Sequence, residues 1–189
     1  MGEHARLRSE DWTVVPVPFA EAKRLVGALH YSRSHSNTAV ATHGLRRNTV
    51  LADTDGVAWW RPPTRSAAVS LHPDRPEGVL TLSRLVVAPH VPTNGASFLL
   101  GRSMKLLDRQ RWPVLVTYAD TNQGHTGAIY RATNWECDGP VDAGDVWVDE
   151  LGRLAGRKRG PRTLTHAEMV ESGYTMRPQR PKIRFVHRL

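Results

Sequence analysis

A carboxylate and a phenol, Asp120 and Tyr130, share the tract Val-Leu-Val-Thr-Tyr-Ala-Asp-Thr-Asn-Gln-Gly-His-Thr-Gly-Ala-Ile-Tyr at residues 114–130. Val114 to Tyr118 is a short apolar run that reads as a buried strand. It ends at Asp120, passes through a polar Gly-containing turn, and enters a helix over 124–133 carrying Ala128, Ile129 and Tyr130. A carboxylate at a strand tip and a phenol about three turns into the next helix can face one cleft. Ligands of α/β domains sit beyond the carboxyl ends of strands, so this is an active-site layout.

Two further places carry chemistry. His30-Tyr31 closes a helical pattern. Adjacent helical residues project about 100° apart, so both line one pocket only where the terminus frays. Arg84 stands among Leu82, Leu85, Val86 and Val87. Buried there, its charge needs an anion such as Asp120 or a phosphate, whereas strict strand alternation sends it to solvent.

The scaffold for these groups is read from periodicity and punctuation. Asp11 to Val17 reads as a strand, and Phe19, Ala22, Leu25, Val26 and Leu29 recur at helical spacing over 19–29. Residues 32–48 are polar and read as a functional loop or short irregular helix. Thr49–Ala52 and Val57–Trp60 flank Asp53-Thr54-Asp55-Gly56 as a hairpin, which Pro62 and Pro63 end. Val79 to Ala88 reads as a long central strand, and Thr93-Asn94-Gly95-Ala96-Ser97 leads into a helix bearing Phe98, Leu99, Met104, Leu106 and Leu107. Trp135–Cys137 and Val146–Val148 read as closing strands, and Thr165-His166-Ala167-Glu168 is a capping box for a helix to about Ser172. The expected class is α/β (α+β), a central mixed twisted sheet flanked by helices. Residues 1–150 are expected to form the catalytic domain and 151–189 a basic extension packed on it, with 150–164 and 174–189 as arms rather than core.

Composition narrows the partners. Twenty-six Lys+Arg against 18 Asp+Glu give a formal net charge of +8. Lys occupies only positions 23, 105, 158 and 182, so Arg dominates, and its planar guanidinium suits forked hydrogen bonds to phosphate. The cations cluster at Arg157-Lys158-Arg159 with Arg162, and again at Arg177, Arg180, Lys182, Arg184 and Arg188. That clustering favours a nucleic-acid partner over a solvated tail. The single cysteine, Cys137, excludes an internal disulfide and a Cys-based zinc site. No apolar run approaches the roughly 18 residues of a membrane span, and no secretory signal is visible, so the expected location is the cytoplasm.

The order strand, helix, hairpin, long strand, helix, strand, helix, two strands resembles the acyltransferase fold of the GNAT superfamily. Within it, His30-Tyr31, Arg84, Asp120, Tyr130 and the tract from Tyr118 to Trp135 resemble the Mom family of phage DNA-modification proteins, over about residues 20–140. The resemblance implies a GNAT-like enzyme that adds a methylcarbamoyl or related acyl-type group to adenine N6 in double-stranded DNA, protecting phage DNA from restriction. It implies an acetyl-CoA or other acyl-CoA held by Val86, Val87, Thr93, Asn94, Gly95, Ala96 and Ser97, with Asn122, although only one glycine of the usual turn, Gly95, is present. It implies that Tyr130 returns a proton to the CoA thiolate; a core phenol is the plainer alternative. Asp120 can orient the base, accept the amine proton, ligate a metal, or simply cap a helix. Iron has been proposed for the family, which makes His30, Tyr31 and Asp120 candidate ligands, with His35 and His43 nearby. A base in a duplex must be flipped and stacked, for which Tyr31, Trp59, Trp60 and Trp135 are candidates, while Arg33, Arg46, Arg47, Arg157, Lys158 and Arg159 can hold the backbone.

Overall fold

A computed structural model describes residues 6–31, 38–49 and 52–189. Strand β1 (Trp12–Pro16) leads through Pro18 into helix α1 (Phe19–Leu29), whose buried face is Ala22, Leu25 and Val26. Strands β2 (Ala41–Arg47) and β3 (Thr54–Arg61) form a hairpin, and α2 (Arg65–Leu71) follows the Pro62-Pro63 break with Thr64 accepting from the Ala67 N–H. Then come β4 (Val79–Val87), α3 (Gly95–Lys105), β5 (Val114–Ala119) and the one-turn α4 (Ala128–Arg131). The chain continues as β6 (Glu136–Val141), β7 (Asp145–Val148), β8 (Leu154–Ala155), β9 (Lys158–Arg159) and β10 (Arg162–Thr163). It ends with α5 (His166–Glu171), capped by the Thr165–Glu168 box, β11 (Thr175–Pro178) and β12 (Lys182–Arg188).

The central sheet runs β1-β2-β3-β4-β5-β12-β6, beside two small sheets, β11-β7-β8 and β10-β9. Alternation sorts side chains onto two faces. On one, Leu80, Leu82, Leu115 and Phe185 pack under α3 with Leu99, Leu100 and Trp135. On the other, α1 covers Val57, Trp59 and Val86, and α2 covers Val79, Val114, Val116 and Val186.

Three expectations are corrected. Residues 41–47 are a strand, not a loop or irregular helix; its inward side chains include Thr42 and His43, which disguise burial as polarity. The 53–56 tetrapeptide is not the hairpin turn, because Thr54, Asp55 and Gly56 already belong to β3, and Leu45 pairs with Gly56. The expected strand 49–52 falls partly on residues 50–51, outside the described residues. The C-terminal residues are not wholly an arm: β12 lies between β5 and β6, with Phe185 and Val186 buried and its basic Lys182 and Arg184 only partly exposed.

The feature that makes a site is the parting of β4 and β5. Their parallel ladder holds only Val79↔Val114, Leu80↔Leu115 and Thr81↔Val116. Past it, Thr117 reaches across to donate to the Leu82 carbonyl at 3.1 Å. The opposite edge of β5 stays paired with β12 from Val114 to Ala119. The sheet therefore opens on the β4 side alone.

Candidate active site

A cleft of about 570 Å³ opens where the two strands part, on the α1 and α2 face. Its lining includes Tyr31 from the end of α1, Arg61 of β3, Thr64, Ser66 and Ser70 around α2, and Thr81, Ser83 and Arg84 of β4. Tyr118 of β5, Asp120 just past its end, Asp142 after β6, and Lys182 and Arg184 of β12 also line it.

Arg84 reaches the cleft because β4 bulges. Trp59 pairs with Arg84 and Trp60 with Leu82, so Ser83 has no partner across β3 and the side-chain alternation shifts by one. Leu82 and Leu85 then both face α3 while Arg84 turns to the cleft. Burial lowers the Arg84 pKa, and its Nη1 donates to the Ser83 carbonyl at 2.6 Å.

His30 and Tyr31 come together because α1 stops at Leu29. His30 takes extended backbone angles (φ −78°, ψ 135°), which frees the two rings from helical spacing; their centroids lie 4.3 Å apart. The Tyr31 hydroxyl donates to Asp120 Oδ2 at 3.0 Å, and the His125 ring stands 5.6 Å away, edge-on. Burial and then the Asp120 bond push the Tyr31 pKa up to about 12, so it is a neutral donor. Burial, with the Arg84 and His125 charges behind it, brings His30 down to about 4, leaving a neutral imidazole at pH 7.

Asp120 caps the short 3-10 turn 121–123: its Oδ1 accepts from the Asn122 N–H at 3.1 Å and from Asn122 Nδ2 at 3.2 Å. Lys182 Nζ is 3.9 Å from Oδ2. Burial works to raise the Asp120 pKa, but the Tyr31 and Asn122 hydrogen bonds and the Lys182 charge outweigh it and hold the carboxyl below its ordinary value. The helix-cap alternative is thus realised, and the same carboxylate faces the cleft.

Tyr130 is the third residue of α4, not a residue three turns into a helix. Gly124 (φ 72°) and Gly127 (φ 78°) are left-handed and forbid a helix from 124. The phenol is largely buried against Phe185 (5.1 Å) and Trp135 (5.9 Å) and is absent from the cleft lining. Burial raises its pKa, and its hydroxyl meets Thr117 in the strand split. Asp120 and Tyr130 therefore flank the split from opposite faces of the sheet.

The sequence candidates for an acyl carrier sit at the other end of that split. Val86 and Val87 bury their side chains on opposite faces, so only their backbone is available. Asn94 is tied to the N-terminal segment, accepting from the Leu7 N–H at 2.6 Å. A Cβ on Gly95 would meet Val91 Cγ1 at 2.2 Å, so this glycine serves close packing. Gly95 N–H is used by Pro92 and Phe98 N–H by Asn94, leaving those of Ala96 and Ser97, beside Thr93, without a backbone partner among the described residues. Asn122 is spent on Asp120 and on the Arg180 N–H rather than on a carrier.

The remaining candidates divide. Arg46 is committed to Glu21 at 2.9 and 3.1 Å and is unavailable to a backbone phosphate without breaking that pair. Arg47 lies over the Trp12 ring, while Arg157, Lys158 and Arg159 are exposed around the β9–β10 hairpin, with Arg159 over Tyr174. Arg33 and His35 lie outside the described residues. Trp59 and Trp60 are fully buried and Trp135 nearly so, which leaves Tyr31 as the accessible ring among the stacking candidates.

His30, Tyr31 and Asp120 do not fit iron. Among the described residues no three His, Cys, Asp or Glu side chains come together to hold a metal. Tyr31 keeps its proton on Asp120, and His43 faces the core, 2.7 Å from Ser103 Oγ. Among the described residues no helix is long and apolar enough to cross a membrane.

Sequence reasoning missed Arg61, Thr81, α2 and the cleft-facing position of Lys182 and Arg184. The basic C-terminal run was a signal for the last two; Arg61 and Thr81 become neighbours only through strand register.

The sequence profile of the Mom protein family matches residues 11–187. Solved structures with the same fold include a mutant of spermidine N-acetyltransferase from Vibrio cholerae (10% identity, 95% of each chain, TM-score 0.56). An IAA acetyltransferase from Bacillus cereus (12% identity, 94% of this chain and 99% of that one) has a TM-score of 0.55. Ribosomal-protein-alanine N-acetyltransferase from Brucella melitensis (11% identity, 94% and 99%) has a TM-score of 0.53. No curated protein matches the chain.

Proposed function

The chain belongs to the Mom protein family and has the GNAT acetyltransferase fold, and on that premise we propose that it transfers a methylcarbamoyl or related acyl-type group, drawn at least in part from an acyl-CoA, to adenine N6 in DNA. The observation that carries the reading is the contact of Tyr31 with Asp120 at the mouth of the β4–β5 split, beside Arg84.

Adenine N6 is a weak nucleophile because its lone pair is delocalised into the ring. The cleft compensates by holding an ionised carboxylate where the amine arrives. Asp120 orients the amine and accepts its proton as the C–N bond forms. Tyr31 fixes the carboxylate and offers the exposed ring on which an extruded base stacks. From the far side of the split, Tyr130 donates its phenolic proton to the sulfur as the C–S bond breaks. The backbone of β4 beyond Thr81 and the first-turn N–H groups of Ala96 and Ser97 would hold the thioester carrier. Arg47 and the Arg157–Arg159 hairpin serve as contacts to the DNA backbone.

Purified protein incubated with labelled acyl-CoA and either an adenine-containing duplex or a panel of small amines tests the reading. Label in the duplex, lost on Asp120→Ala, is expected. Label confined to the amines would assign the chain to small-molecule acylation instead.

A further inference from the structure

One wall of the cleft is not accounted for by amine acylation. Arg61 and Thr81 are register partners on β3 and β4, so their side chains are neighbours on one face, and both line the cleft together with Arg84. Thr81 is only 6% exposed, and its Oγ1 finds no hydrogen-bond partner among the described residues. A buried hydroxyl in a polar cleft without a partner is unfavourable and marks a place where a ligand oxygen belongs. Arg61 is half-buried, and beyond its backbone pairing in the β3–β4 ladder its guanidinium makes no hydrogen bond or ion pair with another described residue. Its charge adds to burial in depressing the Arg84 pKa, so the two guanidinium groups are close and of like sign.

The acidic groups nearby do not resolve this. Asp120 is held by Tyr31, Asn122 and Lys182, Asp142 accepts from the Gly144 N–H at 2.9 Å, and Arg184 is taken by Asp138. None of these carboxylates pairs with Arg61.

We propose that Arg61, Thr81 and Arg84 form a phosphate subsite, and that it takes the phosphodiester flanking the nucleotide whose amine is acylated. Phosphodiester oxygens are acceptors only and carry the charge, so they suit two cationic donors and one hydroxyl at once. Thr81 moves between staggered χ1 positions to donate its O–H. The subsite stands on its own geometry; that the phosphate belongs to a DNA acceptor rests on the function proposed above. The consequence is a preference for nucleotides over nucleosides and over phosphate-free amines.

Calorimetric titration of the full chain with deoxyadenosine and with a single-stranded trinucleotide carrying a central adenine tests the proposal. The wild type should bind the trinucleotide at least about tenfold more tightly than the nucleoside. Thr81→Val should weaken trinucleotide binding roughly 3- to 10-fold and Arg61→Gln about tenfold or more, with nucleoside binding unchanged. Thr81→Val should keep or raise the thermal midpoint, because a methyl replaces an unpaired buried hydroxyl. Equal affinity for nucleoside and trinucleotide in the wild type, equal weakening of both by the variants, or no weakening would overturn the subsite. Phosphate-dependent binding that needs Arg61 and Thr81 without any modified adenine would leave the subsite standing and remove only the proposed function.

Discussion

Tyr31→Phe removes one hydroxyl and leaves the ring that flanks His30 and His125 in place. What is lost is the 3.0 Å donation to Asp120 Oδ2. A hydrogen bond to a charged group contributes about 1.5–3 kcal/mol, but Tyr31 is 50% exposed and solvent competes for the carboxylate. About 1 kcal/mol is the appropriate scale, a loss of roughly fivefold in kcat/KM. The pH profile has a definite sign. The Asp120 pKa is held low in the folded enzyme, so activity that needs the carboxylate is present above that value and is lost as pH falls through it. Burial, which pushes the pKa up, remains after the substitution, while the foremost opposing contribution is gone. The acid limb of kcat/KM should therefore move to higher pH in Tyr31→Phe, with little change in unfolding midpoint. An acid limb that stays in place or moves down would refute a base role for Asp120 supported by Tyr31.

Tyr130→Phe keeps the packing against Phe185 and Trp135 and removes only the hydroxyl facing Thr117; kcat should fall about 10²- to 10⁴-fold with an unchanged melting curve, and retained kcat would reassign the phenol to the core. Gly127→Ala should destabilise by roughly 2–4 kcal/mol in denaturant unfolding, since a Cβ there would meet Phe185 Cζ at 2.2 Å and φ is +78°; a change under about 0.5 kcal/mol would mean that the contact yields freely. Burial holds His43 at about 4, so the unfolded chain, titrating near 6.5, binds the extra proton between these values. Stability should fall as pH drops from about 6.5 towards 4, by at most roughly 3 kcal/mol, and His43→Gln should flatten that slope in pH-dependent denaturant titrations; an identical slope in both proteins would contradict it.

What the residues made legible depended on pattern. Val114–Ala119, Val79–Val87 and Phe19–Leu29 show clean periodicity, and the structure places those elements at the expected bounds within a residue or two. β2 was hidden because its inward positions include Thr42 and His43, whose partners are the Val17 carbonyl and Ser103, far away in sequence. β12 was hidden by its charges: Lys182, Arg184 and Arg188 dominate its composition although Phe185 and Val186 decide its place. At the site, Asp120 was expected to share one cleft with Tyr130; it meets Tyr31 instead, and Tyr130 approaches from the other face because Gly124 and Gly127 break the helix. Arg46 looked like a free surface cation until tertiary structure brought Glu21 to it. Arg61 and Thr81 carried no local signal, because a bulge at Ser83 sets which side chains share a wall.

The most direct measurement is nucleoside mass spectrometry of DNA from cells expressing the chain, with Asp120→Ala as control. A mass-shifted deoxyadenosine in the wild-type sample that disappears in the variant is the expected result. Unshifted deoxyadenosine from cells containing folded wild-type protein and its acyl-CoA would contradict the account.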